Sequence, residues 1–394
     1  MPPLNPQHYR YEGEQLGIAE DVLANAEAII ARIRKVDPRL PVVFTLRHLS
    51  ALTGVQYYYL RRVVARDPDI VPYRHFSLRK KIPGRSRRRL ISVPPKSLMI
   101  VQRWIVDAIL ANTTPAAASF AFHRGSRPVF AAQAHCGCDW LLKVDIADFF
   151  HSISEGQVFS VFNSLGYPKL LAFELARLTT IEGNALRTDP AKRWPVIPYY
   201  QYPSEGRLPQ GAPTSPMLAN LVMRKLDDRL TAMATANDLR YTRYADDLAF
   251  SGRKPHTLET MRAFRTSVLA ELDTEGFAHN RRKTVIRGPG ARRIVLGILV
   301  DGVTTRLARD YKDRLQLHLH YLRSSTHGPS VHAINRKISV STLFHHVRGK
   351  IAWAERVEPS FGKVMLAQFN EIRWPPIDYR WPPDVQGADD EEDE

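Results

Sequence analysis

Residues 240–251 read Arg-Tyr-Thr-Arg-Tyr-Ala-Asp-Asp-Leu-Ala-Phe-Ser, two strand-like runs that meet at adjacent acids, Asp246 and Asp247. The pattern predicts a β-hairpin with both carboxylates at its tip. Adjacent carboxylates repel, and each raises the pKa of the other unless a cation lies between them. A tight turn beside apolar strands gains little structurally from such a pair. A hard divalent cation such as Mg2+, which takes oxygen ligands, resolves the conflict. A third acid fits the same scheme: Trp140 to Val144 is a short, mostly apolar run that ends at Asp145, as a buried strand ending at an acid would. Three carboxylates on two adjacent strands can hold two ions about 3.5–4 Å apart, the arrangement that nucleotidyl transfer uses. One ion activates the attacking 3′-hydroxyl, and the other holds the triphosphate and the leaving oxygen. Taken singly, a polar turn and a strand-end acid are both ordinary features.

Composition narrows the setting. The 394 residues allow one multi-lobed unit or two to three small domains, and a 44% hydrophobic share supports a real core. No apolar run reaches the ~18 residues a membrane span needs. The start, Met-Pro-Pro-Leu-Asn-Pro, has no basic patch followed by an apolar segment, so a cytoplasmic protein with no membrane partner is expected. Cys136 and Cys138 lie too close in sequence for good disulfide geometry. No nearby Cys or His pair completes a zinc site, so both are read as reduced thiols. The net charge is +16, although the last six residues, Asp389 to Glu394, are all acidic. Such an excess suits a polyanionic partner, because Lys and Arg release counterions from phosphates. The plainer reading is a solubility surface.

Along the chain, Ile18 to Val36 has helical spacing, and Phe44 to Val64 suggests two short helices around Thr53-Gly54. That pair could pass for a helix-turn-helix, but packing against the next lobe is the preferred reading. Residues 71–97 suggest strands around a turn at Pro83-Gly84, a basic hairpin carrying Lys80, Lys81, Arg85, Arg87, Arg88 and Arg89. Leu98 to Leu110 reads as an amphipathic helix, 156–180 as helical and 181–207 as a loop or small insertion. Ser215 suits an N-cap and Pro216 the first helical position. Leu218, Leu221, Val222, Leu226 and Leu230 then form one stripe. A helix is expected near 257–275. A strand pair around Ile294–Val300 has Asp301-Gly302 as its expected turn. Residues 307–375 look helical, and the Pro-rich, acidic tail beyond reads as disordered.

Several segments together resemble reverse transcriptases, in that family's order. Tyr244-Ala245-Asp246-Asp247 resembles the catalytic turn, Asp145 to Phe150 the first catalytic strand, and Leu208 to Pro216 the loop and helix between. Gly276 to Thr284 is similar to the motif that follows, with Lys283 in its basic position, and Leu296-Gly297-Ile298 to the primer-grip turn. Arg89 to Pro94 and Phe122 to Arg127 fit finger motifs. The resemblance covers about residues 70–370. Tyr73-Arg74-His75-Phe76, Lys80-Lys81, Arg243 to Leu248, Phe250-Ser251 and the stretch from Arg348-Gly349-Lys350-Ile351 through Glu358-Pro359 are most similar to bacterial retron-type enzymes. No clear Asn-Ala-x-x-His element precedes the catalytic turn, and Val295-Leu296-Gly297 stands where a Val-Thr-Gly triplet would fall. A related defence-associated reverse transcriptase is therefore the competing subclass, ahead of a group II intron enzyme.

The resemblance implies an α+β right-hand polymerase of fingers, palm and thumb with a helical N-terminal extension. The expected bounds are 1–69 for the extension, 70–138 for the fingers and 139–302 for the palm, with a finger-like insertion at about 152–207. A helical thumb follows at 303–375 and an acidic tail at 376–394, with no room for an endonuclease domain. The implied activity is RNA-directed DNA synthesis, making cDNA from a structured non-coding RNA, in anti-phage defence. Asp145, Asp246 and Asp247 would bind two Mg2+ ions, with the Ile146 backbone carbonyl as a further ligand. Arg89 and Lys80 would hold the triphosphate, while Gln210 and Gly211 line the nucleotide pocket. Phe150 would exclude the 2′-hydroxyl, Lys283 would protonate pyrophosphate, and Tyr244 would support the primer end. Implied partners are RNA template and primer, DNA product, dNTPs, a cognate non-coding RNA and an effector protein. The alternatives are an RNA-dependent RNA polymerase, an enzyme that works without a template or from a protein primer, and a catalytically idle RNA-binding module.

Overall fold

The computed structural model describes residues 6–67, 69–70, 73–79, 88–182, 205–253 and 256–376. The chain forms two compact units, each assembled from separate segments. One comprises Met1–Arg127, Leu142–Ser251 and Pro255–Ile286, the other Pro128–Leu141, Gly252–Lys254 and Arg287–Glu394.

The first unit opens with helices α1 (Pro6–Gln15), α2 (Glu20–Val36), α3 (Leu46–Thr53) and α4 (Tyr57–Ala65). In α2, Leu23, Ala26, Ile30 and Ile33 are buried at helical spacing, with acids in the first turn and bases in the last, which suits the helix dipole. Gly54 ends α3 in the left-handed conformation, as the Thr53-Gly54 break predicts. Strands β1 (Arg74–Arg79) and β2 (Arg88–Val93) pair antiparallel. Their expected turn at Pro83-Gly84, with Lys80, Lys81, Arg85 and Arg87, lies outside the described residues. Helix α5 (Lys96–Trp104) widens into a π turn over Ile105–Ile109, so the expected Leu98–Leu110 helix is present with a bulge that buries Ile105 and Ile109. Helix α6 (Pro128–Gln133) belongs to the second unit.

Strand β3 (Trp140–Asp145) and the short helix α7 (Phe149–Ser152) follow. The stretch expected to be helical over 156–180 is two helices, α8 (Glu155–Ser164) and α9 (Lys169–Thr179), separated at Gly166-Tyr167-Pro168. Gly166 has φ +92°, and a Cβ there would lie 2.9 Å from the Ile33 Cα, so α2 packs directly on this break. Expected as a loop, 181–207 has paired ends, β4 (Ile181–Glu182) and β5 (Gly206–Arg207), while 183–204 lie outside the described residues.

Helix α10 (Ser215–Ala236) starts one residue earlier than expected. Thr214 is the N-cap, its carbonyl accepting from the Leu218 amide at 3.1 Å, which puts Ser215 and Pro216 inside the first turn. Strands β6 (Arg240–Tyr244) and β7 (Asp247–Gly252) form the expected hairpin, with Tyr244 opposite Asp247. Helix α11 (Leu258–Thr274) is capped by Thr257 and Thr260. With β8 (Val285–Arg287), the sheet runs β6-β7-β3-β8. Phe250 stacks on Tyr241 at 4.6 Å and meets Phe264 edge-on at 5.3 Å, giving the hairpin an aromatic footing.

In the second unit, β9 (Ile294–Val295), β10 (Ile298–Leu299) and β11 (Arg306–Leu307) form a small sheet. The turn of the β9–β10 pair is Leu296-Gly297, both with positive φ, not Asp301-Gly302. The Val295–Ile298 register leaves only two residues to close the hairpin, so Asp301 falls in the β10–β11 connection, where it pairs with Arg306. Helices α12 (Arg309–Arg323), α13 (Gly328–Asn335), α14 (Val340–Val357) and α15 (Pro359–Asn370) complete the unit. Glu358 ties α14 to β11 and α12, accepting from the Leu307 amide at 3.0 Å and Lys312 at 2.6 Å. Cys136 and Cys138 are free thiols, and burial pushes the Cys138 thiol up to about 11. Among the described residues no helix is long and apolar enough to cross a membrane.

Candidate active site

Asp145 ends β3, Asp247 begins β7, and Asp246 occupies the two-residue turn between β6 and β7. The neighbouring position of β3 and β7 brings these acids, far apart in sequence, to one end of the sheet. The Ile146 amide donates to the Asp246 carbonyl at 2.9 Å, locking the first acid segment to the turn. On the other side, the Asn280 amide donates to the Asp145 carbonyl at 2.7 Å and the Ala147 amide to that of Ala278 at 2.8 Å. The Gly276–Thr284 segment therefore runs alongside Asp145 and delivers Lys283, whose Nζ donates to Asp145 Oδ2 at 2.7 Å.

Lys143 had no place in the sequence reading. It lies two residues before Asp145, on the same face of β3. Its Nζ pairs with Asp247 Oδ2 at 2.9 Å. A lysine inside an apolar strand gives no local signal of a partner a hundred residues away. The other oxygen, Asp247 Oδ1, is buried with no hydrogen-bond partner. Burial, then the Asp145 charge, raises the Asp246 carboxyl above its ordinary pKa. Burial also raises that of Asp247, against the lowering effect of Lys143. Among the described residues no three acid, His or Cys side chains converge as a ready metal-ligand set. Lys143 and Lys283 engage Asp247 and Asp145. The donor chemistry nonetheless suits a hard cation: three carboxylates, a half-buried pair resisting ionisation, and an orphaned oxygen.

The other expected residues that the structure describes belong to the same first unit. Arg89, exposed on β2, exerts its positive charge on Asp246. Phe150 on α7 packs 5.5 Å from Phe149 and 6.0 Å from Phe122, whose ring lies 6.4 Å from Tyr244 beside the acid turn. The Gln210 carbonyl accepts from the Ser92 amide at 2.7 Å, joining the Leu208–Pro216 loop to the strand that carries Arg89. Gly211 has φ +120°, and a Cβ there would lie 2.8 Å from Ile91 Cγ2 and 3.0 Å from the Ser92 carbonyl oxygen. Only glycine permits that approach. Lys80 lies outside the described residues.

A buried network beneath the turn also escaped the sequence reading. Arg243 forks onto Asp227 with Nε to Oδ1 at 2.8 Å and Nη2 to Oδ2 at 2.7 Å, both side chains fully buried. Its Nη1 donates to Asn220 Oδ1 at 3.1 Å and to the Ala245 carbonyl at 3.2 Å. The Tyr241 hydroxyl donates to Asp227 Oδ1 at 2.8 Å. The available signal was helical spacing: Asn220 and Asp227, seven apart, share the face of α10 that buries Met223 and Leu230.

Three acids at one end of a sheet, beside a strand that carries Arg89 and a loop that requires glycine at 211, suit an enzyme that handles nucleoside triphosphates. Residues 78–299 match the family described as reverse transcriptase (RNA-dependent DNA polymerase). Relatives include the retron Ec86 reverse transcriptase of Escherichia coli, 29% identical over 330 residues, or 83% of this chain and 93% of that one. The retron Mx65 reverse transcriptase of Myxococcus xanthus is 33% identical, over 71% of this chain and 64% of its own length. The retron Mx162 reverse transcriptase of the same organism is 30% identical, over 72% of this chain and 58% of its own. The chain belongs to the reverse transcriptase family, and within it to the retron type. It is an RNA-directed DNA polymerase, a nucleotidyltransferase with the right-hand polymerase fold.

Proposed function

We propose that Asp145, Asp246 and Asp247, with the Ile146 carbonyl, hold two Mg2+ ions and that the chain copies a structured non-coding RNA into DNA. The observation that carries the site is Asp247 Oδ1, buried without a partner beside Asp246, both carboxyls being ones whose ionisation burial opposes. Bound Mg2+ would supply Lewis-acid stabilisation of the developing charge and a more acidic 3′-hydroxyl. The chain's own groups do the rest. Arg89, with Lys80, grips triphosphate oxygens, for which a guanidinium is suited. Gln210 and Gly211 line the pocket beside β2. The Phe150 ring fills the space a 2′-hydroxyl would need. Lys283, whose Nζ reaches Asp145 Oδ2, would donate a proton to the leaving pyrophosphate. Tyr244 supports the primer end.

On this reading fingers occupy 70–138, the palm 139–302 and the thumb 303–375. Phosphate contacts are indifferent to sequence, so the choice of RNA rests on its shape. A cognate RNA and an effector protein acting in anti-phage defence complete the reading by analogy with retrons. The test is primer extension by the purified chain on an RNA template with Mg2+, comparing dNTPs with rNTPs. Asp246→Ala and Asp145→Asn should each lower kcat by roughly 1,000-fold, since several kcal/mol of barrier depend on the metal ligands. Undiminished synthesis by either variant would remove these carboxylates from the chemistry. For the biological role, cells carrying the gene with its neighbours should resist phage, and should lose that resistance with Asp246→Ala.

A further inference from the structure

Among the described residues, Arg243–Asp227 is the ion pair in which both side chains are fully buried, and no step above uses it. A buried pair of this kind is weak evidence for stability, because apolar groups of similar volume often replace it without loss. What apolar groups cannot replace is the third contact. Arg243 Nη1 reaches past Asp227 to the Ala245 carbonyl, the oxygen of the peptide bond that leads into Asp246. Ala245 sits at φ +56°, a left-handed conformation that non-glycine residues rarely adopt, at the first position of a two-residue hairpin loop. That conformation needs something to hold it.

The holding group is itself fixed from several directions. The Arg243 amide donates to the Ala118 carbonyl at 2.7 Å, and its own carbonyl accepts from the Phe120 amide at 2.8 Å. Asn220, which accepts from Nη1, also accepts from Ser119 Oγ at 3.0 Å and donates to the Ala121 carbonyl at 2.6 Å. Tyr241 and the guanidinium fork, all from β6, engage both oxygens of Asp227 on α10. The Asp246 carbonyl is meanwhile held by the Ile146 amide. Asp246 is thus pinned on both flanks, by β3 on one side and by Arg243 on the other.

We propose that Arg243 is a positioning residue for the reaction: braced by Asp227, Tyr241 and Asn220, it holds the Ala245 carbonyl and so fixes the direction in which Asp246 presents its carboxylate. This rests on the reading of Asp246 as a catalytic carboxylate. Asp227 and Tyr241 act through Arg243 and touch no substrate.

The test compares four full-length proteins: wild type, Arg243→Lys, the double variant Arg243→Met/Asp227→Leu, and Asp246→Ala. Melting temperature, kcat and KM for dNTP on a primed RNA, primer–template affinity, and Mn2+ affinity by calorimetry are measured on each. The double variant should melt near wild type, because it removes both buried charges together. Its kcat should fall on the order of 100-fold, as expected for a misplaced reacting group, with weaker Mn2+ binding and unchanged primer–template affinity. The lysine variant keeps a charge opposite Asp227 but lacks the fork that reaches Ala245, and should show the same split. Wild-type kcat in either folded variant would overturn the proposal. So would a loss of kcat matched by an equal loss of template affinity, or failure of both variants to fold, since each makes the pair purely structural. Activity in Asp246→Ala would instead sink the catalytic assignment itself.

Discussion

At the level of single side chains, the groups around Asp145, Asp246 and Asp247 divide by what they neutralise. Lys283 and Lys143 each hold one carboxylate, while Asp246 receives only the more distant charges of Arg89 and Lys283. Phe150 neutralises nothing and belongs to the aromatic group with Phe149 and Phe122. Replacing it by Ala should raise the use of rNTPs relative to dNTPs by about 10- to 200-fold, the range over which a pocket discriminates small groups. Competing incorporation of the two on one template measures this, and an unchanged ratio would make Phe150 a packing residue. The three acids were legible because each lies in a short local pattern. Asp227 was not: flanked by Lys225, Asp228 and Arg229, it looks like part of a solvated helix face. Its burial depends on Arg243, which a different element supplies.

Among elements, hairpins and amphipathic helices were legible wherever turn chemistry and apolar spacing agreed. They failed where the two diverged. Asp301-Gly302 is a strong hairpin signal, yet the turn falls at Leu296-Gly297, with Leu296 at φ +51°, because strand register overrides a local preference. The π turn after α5 is invisible because Ile105 and Ile109 satisfy an apolar stripe in either geometry. The helices after Leu307 carry a consequence of their own. On α12, His318 Nδ1 lies 3.0 Å from His332 Nε2 of α13, its ring is 5.7 Å from that of His346 on α14, and Arg336 and Lys350 add positive charge. Burial, then those charges, lowers His318 from 6.5 to about 4. The unfolded chain therefore binds the proton more readily than the folded one. The stability His318 contributes is complete above pH 6.5 and is lost as pH falls towards about 4. Melting temperature followed across that window should drop on acidification, and His318→Leu should flatten the slope while lowering stability at neutral pH. An identical slope in the variant would place the acid sensitivity elsewhere.

Over the whole molecule, charge was legible and the assembly of the compact units was not. The +16 excess predicts RNA binding governed by counterion release. About six phosphate contacts on a single strand would give a log–log salt slope near −4. Removing the acids Asp389 to Glu394 should tighten binding at low salt and have no effect near 1 M, where charges are screened within about 3 Å. A slope near zero would exclude binding through phosphate contacts. The sequence reading interrupts the palm with a finger-like insertion at about 152–207, and each compact unit draws on three chain segments whose strand partners are distant in the chain. The order β6-β7-β3-β8 makes β3 an interior strand whose two neighbours both come much later in the chain. Asp145 therefore leaves the ribosome about a hundred residues before Asp246, a wait of roughly 5–20 seconds at ordinary rates of synthesis. Throughout that interval the apolar β3 is without its neighbours, exposed to chaperones and to mispairing. With the three acids taken as the catalytic centre proposed above, copying cannot begin on the nascent polypeptide until the β7 strand has emerged.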